Sequence, residues 1–166
     1  MISVLIIVGA VLAAFGLSQI VAVGWEHVRR WKRFGAARRY AAAVGKPLLV
    51  VGRPSGLIRT YKEGDVTLDI DPRVMDDCRS GCVADVRNIP FPDRYFASAF
   101  CSHVLEYLPD VAGMEKAVAE LHRVAEKVFI CYTLQLTIWW RFFSIYQQLW
   151  LWEDRNGKLR ARQRPW

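Results

Sequence analysis

Hydrophobic and polar positions divide this chain into stretches with different periods. From Ile2 to Val23 no charged residue interrupts a run rich in Ile, Val, Leu and Ala. At about 1.5 Å per residue a helix of that length crosses a hydrocarbon core of roughly 30 Å, which predicts a transmembrane helix over 1–24. Trp25 to Val44 mixes basic and aromatic positions and predicts a juxtamembrane helix over 25–45, stopping near Gly45 and Pro47. Beyond Pro47 the period changes. Leu48-Leu49-Val50-Val51 is a short continuous apolar run, as expected of a strand buried on both faces. Val66 to Asp71, Cys82 to Asp85, Phe96 to Cys101 and Val128 to Tyr132 read as further strands. Asp110 to Glu126 has helical spacing through Val111, Met114, Ala117, Val118, Leu121 and Val124. Strands alternating with helices predict a small, doubly wound, mostly parallel sheet, an α/β domain over 46–133.

The last stretch is different again. Trp139, Trp140, Phe142, Phe143, Ile145, Tyr146, Leu149, Trp150 and Trp152 crowd into 134–152, interrupted by Gln135, Arg141, Gln147 and Gln148. The interruptions argue against a second span, and the aromatic density predicts an amphipathic interfacial helix. Packing on the sheet or against a partner subunit would cover the same aromatics. Residues 153–166 read as a loose basic tail facing lipid.

Charge locates the partners. The net charge is +7, yet between Ala41 and Trp152 there are 12 basic and 13 acidic residues. The excess sits in the two flanks, in Arg29, Arg30, Lys32, Arg33, Arg38 and Arg39 and in Arg155, Lys158, Arg160, Arg162 and Arg164. Basic flanks around a neutral body suit anionic lipid headgroups, and argue against a nucleic-acid partner. Basic residues follow the apolar run where a cleaved signal peptide would have them in front. The positive-inside rule then predicts a single pass, N-terminus outside and the α/β domain cytoplasmic. Cys78 and Cys82 lack a second pair or a nearby His, so no metal site is expected. Cys101 and Cys131 lie in apolar runs and read as core.

The stretch from Asp85 through Asp110 carries the most specific pattern. Asp85, the loop Asn88-Ile89-Pro90-Phe91-Pro92-Asp93, the strand from Phe96, and Ser102-His103-Val104-Leu105-Glu106-Tyr107-Leu108-Pro109-Asp110 follow one another, and Glu120-Leu121-His122-Arg123-Val124 precedes the fifth strand. In that order they resemble a class I S-adenosylmethionine-dependent methyltransferase of the small-molecule kind called type 11, over roughly residues 46 to 132. The resemblance implies a cofactor, S-adenosylmethionine, held by Gly52 and Gly56 under its methionine part and by Asp69 at the ribose hydroxyls. It implies Asp85 and Val86 at the adenine, with the 88–92 loop closing over the ring. It places His103 where the family faces substrate, as a base toward an attacking oxygen or nitrogen. Glu106 reads as structural, facing loop backbone, and Asp71 as a helix-capping acid before Pro72.

Several positions depart from the family. Pro54 replaces a glycine in the first loop, with Arg53 and Ser55 beside it, and Ala97 replaces an acid. The first crossover, Gly56 to Val66, is short, and the final helix and antiparallel strand pair have no counterpart after Tyr132. Those departures all touch the cofactor pocket. The expectation is a membrane-anchored methyltransferase-like protein with lapsed catalysis, a scaffold or a subunit among other membrane proteins. The alternative is an active enzyme methylating a lipid or a membrane-bound acceptor.

Overall fold

The computed structural model describes residues 2–53, 61–133 and 146–165; Gly56, Pro54 and most of the aromatic stretch lie outside them. A single helix, α1, runs unbroken over Ile2–Val44. It therefore includes both the expected span and the expected juxtamembrane helix. Gly45 ends it in the left-handed region, φ 72°, with its N–H donating to the Ala41 carbonyl at 2.9 Å. Glycine is favoured there because a Cβ is disfavoured at positive φ.

Among the described residues five strands form a parallel sheet: β1 Leu48–Val51, β2 Val66–Asp69, β3 Gly81–Val83, β4 Phe96–Ser102 and β5 Ala125–Cys131. Their spatial order is β3-β2-β1-β4-β5. The order reverses at β1, so the crevice of an open α/β sheet lies at the carboxyl ends of β1 and its neighbours. Leu48 and Val50 face α1, together with Ala97, Phe100 and Cys131. Leu49, Val51, Ala99 and Cys101 face the other layer, built on α2, Val111–Val124. Burial on both faces explains why the strands read as continuous apolar runs.

The second half of α1 is a wall of the domain. Phe34, Ala37 and Ala41 are buried against the sheet. Phe34 meets Phe100 edge-on at 5.4 Å, and Ser98 Oγ donates to the Ala37 carbonyl at 2.9 Å, a close approach that a small residue permits. The arginines of this half point the same way. Arg29 donates to the Tyr132 carbonyl at 2.5 Å, and Arg33 donates to the Ile130 carbonyl. The Ile130 carbonyl lies in the outer strand β5 and that of Tyr132 just past its end, where no neighbouring strand takes them among the described residues.

The C-terminal region departs from expectation. Leu149–Glu153 is a strand, β6, where the end of a helix was expected, and the tail expected to be loose contains β7, Leu159–Gln163, paired antiparallel with β6. The period of two explains the strand: Leu149 and Leu151 are buried while Trp150 and Trp152 point outward. Asp154 accepts from the backbone N–H groups of Asn156 and Lys158, and Gly157 takes φ 73°, which closes the hairpin. Arg162 lies 4.6 Å over the Trp150 ring, so part of the basic tail is used on the hairpin itself.

Candidate cofactor and acceptor site

The carboxyl ends of β1, β2 and β3 and the turn after β4 enclose a cavity of about 220 Å³. Gly52, Asp69, Asp85 and Val86 all line it, beside Val104 and Tyr107. Four positions singled out from sequence therefore meet in one place. Gly56 lies outside the described residues. His103 is not among the lining residues.

Gly52 follows β1 with φ 83°, a backbone state open to glycine at little cost. A Cβ there would meet Val104 Cγ2 at 2.6 Å. The close approach at Gly52 is thus toward the neighbouring loop. Asp69, at the end of β2, accepts the Arg53 N–H at 2.9 Å on Oδ2 and the Asp71 N–H at 3.1 Å on Oδ1. Each carboxylate oxygen can accept twice, so one further bond per oxygen remains for a vicinal diol.

Asp85 is bonded mostly to Arg87. Oδ1 accepts the Arg87 N–H at 2.8 Å and Arg87 Nε at 3.0 Å, and Oδ2 accepts Nε at 3.0 Å and Nη2 at 2.6 Å. These contacts come from three N–H groups, the single Nε–H being shared between the two oxygens, so about one of the four acceptor sites of the carboxylate stays open. Hydrogen bonding to Arg87 holds the Asp85 carboxyl below the usual carboxylate range. The residues present therefore fit a ribose at Asp69 and leave Asp85 about one acceptor site for an adenine amino group while Arg87 stays in place. The cavity is also smaller than the roughly 300–1,000 Å³ of pockets that enclose a drug-sized ligand.

The 88–92 loop does not close over this cavity. Phe91 stacks instead on Tyr95 and Phe96, at 5.3 and 4.9 Å. The Glu120/Arg123 pair of α2 holds the loop there: Arg123 donates to the Phe91 and Ile89 carbonyls at 2.9 Å each, and Glu120 accepts the Ile89 N–H at 2.9 Å. A backbone clamp is thus one physical use of the Glu-Leu-His-Arg-Val segment.

His103 sits in the left-handed region, φ 53°, an uncommon state outside glycine, at the carboxyl end of β4. Its ring meets α1. Arg30 Nη2 donates to Nδ1 at 2.8 Å, and Nε2 lies 2.8 Å from Glu26 Oε1. Accepting at Nδ1 leaves Nε2 to carry the proton toward Glu26. Arg30 also bonds Glu26, at 3.0 Å. Burial, and next the Arg30 charge, depress the His103 pKa to about 3, so the ring is neutral. Both ring nitrogens are used within the protein, and neither is left to take a proton from an acceptor.

Glu106 is fully buried, as its structural reading requires. Oε1 accepts the Thr133 N–H at 2.7 Å and its hydroxyl at 3.3 Å, while Oε2 has no partner. Burial pushes its pKa up to about 7. Asp71 caps the turn after β2 by accepting the Arg73 N–H at 3.0 Å. Sequence reasoning passed over Glu26, Arg30 and Arg87. One signal was available for Glu26: it is the first acid in the chain, placed where the apolar run gives way to basic residues.

With this geometry in view, comparison with known proteins is specific in one respect. Residues 51–130 match the family model described as a methyltransferase domain. No curated protein matches the chain. Solved structures with a similar fold include the N-methyltransferase NodS from Bradyrhizobium japonicum bound to S-adenosyl-L-homocysteine, at 19% identity and TM-score 0.41, covering 57% of this chain and 56% of that one. A S-adenosylmethionine-dependent methyltransferase from Methanosarcina mazei gives 17% identity and TM-score 0.44 over 71% of this chain and 72% of its own. Another from Mesorhizobium loti gives 16% and 0.39 over 78% and 63%. The match to NodS thus spans little more than half of that enzyme. The sheet order, the acids at the ends of β2 and β3, and the family match lead to one assignment: residues 51–130 form a methyltransferase domain.

Proposed function

We propose that this protein is a membrane-anchored member of the methyltransferase fold in which methyl transfer has lapsed, and that it serves as a scaffold or subunit of a membrane assembly. One observation carries the reading: Glu26 and Arg30 of the anchor helix take both nitrogens of His103, on the side where the family faces its acceptor. Asp85, most of whose acceptor sites are taken by Arg87, supports it from the cofactor side. The anchor itself is supported by α1, which is long and apolar enough to cross a membrane, with only 6% of its most apolar window buried in the protein. In this reading the N-terminus lies outside, the domain is cytoplasmic, and the partners are anionic headgroups and other membrane proteins.

A second reading, an active S-adenosylmethionine-dependent enzyme on a lipid or membrane-bound acceptor, is favoured by the convergence of Gly52, Asp69 and Asp85 on one cavity. Isothermal titration of the detergent-solubilised full chain with S-adenosylmethionine separates the two. The lapsed reading expects no binding tighter than about 1 mM, equivalent to roughly −4 kcal/mol. Tighter binding that is lost in Asp69→Ala overturns it in favour of the enzyme.

A further inference from the structure

The direction of α1 against the sheet fixes which edge of the domain meets the bilayer. Moving back along α1 toward the span, Lys46 just beyond its end pairs with Glu126 at the start of β5, Ala37 meets Ser98 in the middle of β4, and Arg30 meets His103 beyond its end. Helix and strands are therefore antiparallel, and every strand of the parallel sheet runs toward the apolar segment. No linker intervenes. Glu26, bonded to His103, follows Val23 by three residues, or about 4.5 Å of helical rise. A headgroup layer is roughly 5–7 Å thick on each side, from a bilayer of about 40–45 Å with a core near 30 Å.

Exposure follows the same direction. Ile70 after β2 is 66% exposed, Val83 at the end of β3 54%, Tyr107 after β4 44%, and Tyr146 72%, the last joined to the same end through Gln148, whose N–H donates to the Glu106 carbonyl. At the opposite end the exposed large apolar side chains among the described residues are Val44 and Tyr95. Two pairs of charges on the cavity-side rim are matched in place, Arg73 with Asp71 at 2.8 Å and Arg87 with Asp85 at 2.6 Å, and Asp110 beside them accepts the Gly113 N–H at 2.6 Å. An apolar and aromatic rim with internally paired charge suits the interfacial layer, where aromatic rings are enriched.

We propose that the carboxyl edge of the sheet is a second membrane-contact surface, seated in the headgroup layer through Ile70, Val83, Tyr107 and Tyr146. The occupant of this surface is the phospholipid interface itself, continuous with the span. The proposal rests on reading α1 as a span. It also means that the cavity lined by Gly52, Ile70 and Tyr107 opens toward lipid, so a ligand reaches it from the interface.

The test uses the full chain with Cys78→Ser and Cys82→Ser, reconstituted in vesicles of phosphatidylcholine and phosphatidylglycerol. Single fluorophores are attached at Ile70→Cys and Tyr107→Cys on the rim, at Val44→Cys and Tyr95→Cys on the far end, and at Leu12→Cys in the apolar run. Lipids carrying a nitroxide near the headgroup or deep in the chain, and aqueous iodide, serve as quenchers. The proposal expects the rim labels to lose emission to the shallow nitroxide while the far-end labels lose it only to iodide. Loss at position 12 to the deep nitroxide, with rim labels open to iodide and untouched by lipid, overturns the rim and leaves the span standing. A bright label at position 12 with the deep quencher overturns the span and the rim together. Rim labels shielded from iodide without lipid quenching place a second copy of the chain on the edge, and overturn the proposal in a different way.

Discussion

Replacing Glu106 by Gln should make the protein less sensitive to pH, with a sign and size set by the buried carboxyl. Oε1 accepts two bonds from Thr133, both of which the carbonyl of a glutamine retains, while Oε2 is buried without a partner. Burial raises the folded pKa from an ordinary 4.5 to about 7. Between those values the unfolded chain has released the proton and the folded protein still holds it. Stability therefore falls as pH rises, by about 1.4 kcal/mol per pH unit. The contribution is fully present below 4.5. It is lost once pH has passed the folded value, for a total of about 3 kcal/mol. A neutral glutamine has no such slope. The variant should match the parent near pH 4.5 and exceed it by about 3 kcal/mol near pH 8, a shift of roughly 1–3 M in urea midpoint at ordinary m-values. Unfolding of the full chain in mild detergent, followed by Trp emission across that range, measures this directly. His103, whose depressed pKa acts in the opposite sense below about 6.5, is common to both proteins and drops out of the comparison. Equal pH dependence in parent and variant, or a variant less stable near pH 8, would refute the reasoning.

Two further outcomes follow from the packing. Phe34→Ala removes a ring buried between α1 and Phe100, and should cost about 3–5 kcal/mol in the same unfolding assay, with α1 and the sheet lost in one transition. A cost below about 0.5 kcal/mol, the range of surface substitutions, would mean that the helix is not docked. Arg87→Ala frees the acceptors of Asp85 and should strengthen S-adenosylhomocysteine binding about tenfold, as expected for one hydrogen bond to a charged group worth roughly 1.5 kcal/mol. Unchanged binding in calorimetry would show that Asp85 is not the residue limiting adenine recognition.

Most of the sheet was legible because its strands are buried on both faces, which leaves nothing but apolar residues in runs such as Leu48 to Val51. The helix α2 was legible for a complementary reason: Met114, Ala117, Leu121 and Val124 recur at helical spacing, and Asp110 caps the first turn by accepting the Gly113 N–H at 2.6 Å. The β6–β7 hairpin was not. Trp150 and Trp152 are apolar by composition yet face outward, so the alternation with Leu149 and Leu151 vanishes in a run that is apolar throughout. The role of the juxtamembrane arginines was hidden because arginine on a helix is as suitable for headgroups as for strand carbonyls. Only the register of α1 against β4 and β5 turns Arg29 and Arg33 inward. Asp69 and Asp85 were found because the resemblance to the family puts acids at two adjacent strand ends. What each carboxylate is already bonded to depends on Arg53 and Arg87, and hydrogen-bond occupancy leaves no trace in spacing.

The family pattern survives here in residues that have structural work independent of methyl transfer. Asp85 closes the turn after β3 with Arg87, Glu120 and Arg123 clamp the loop at Ile89 and Phe91, Glu106 ties the end of β5, and Asp110 caps α2. Losing any of them would leave buried or loop backbone groups without partners, at about 1–3 kcal/mol each. Folding alone can therefore maintain them, and their presence does not argue for catalysis. The informative quantity is spare bonding capacity at the positions where a ligand would arrive. Asp69 keeps about one site per oxygen, Asp85 keeps about one in all while Arg87 is paired, and His103 has given both nitrogens to α1. The side chains that occupy His103 come from Glu26 and Arg30, in the segment that also docks α1 on the sheet. Docking of α1 and occupation of His103 are then two consequences of one packing arrangement, which is why we propose the lapsed reading even though the most specific stretch of the family pattern is intact.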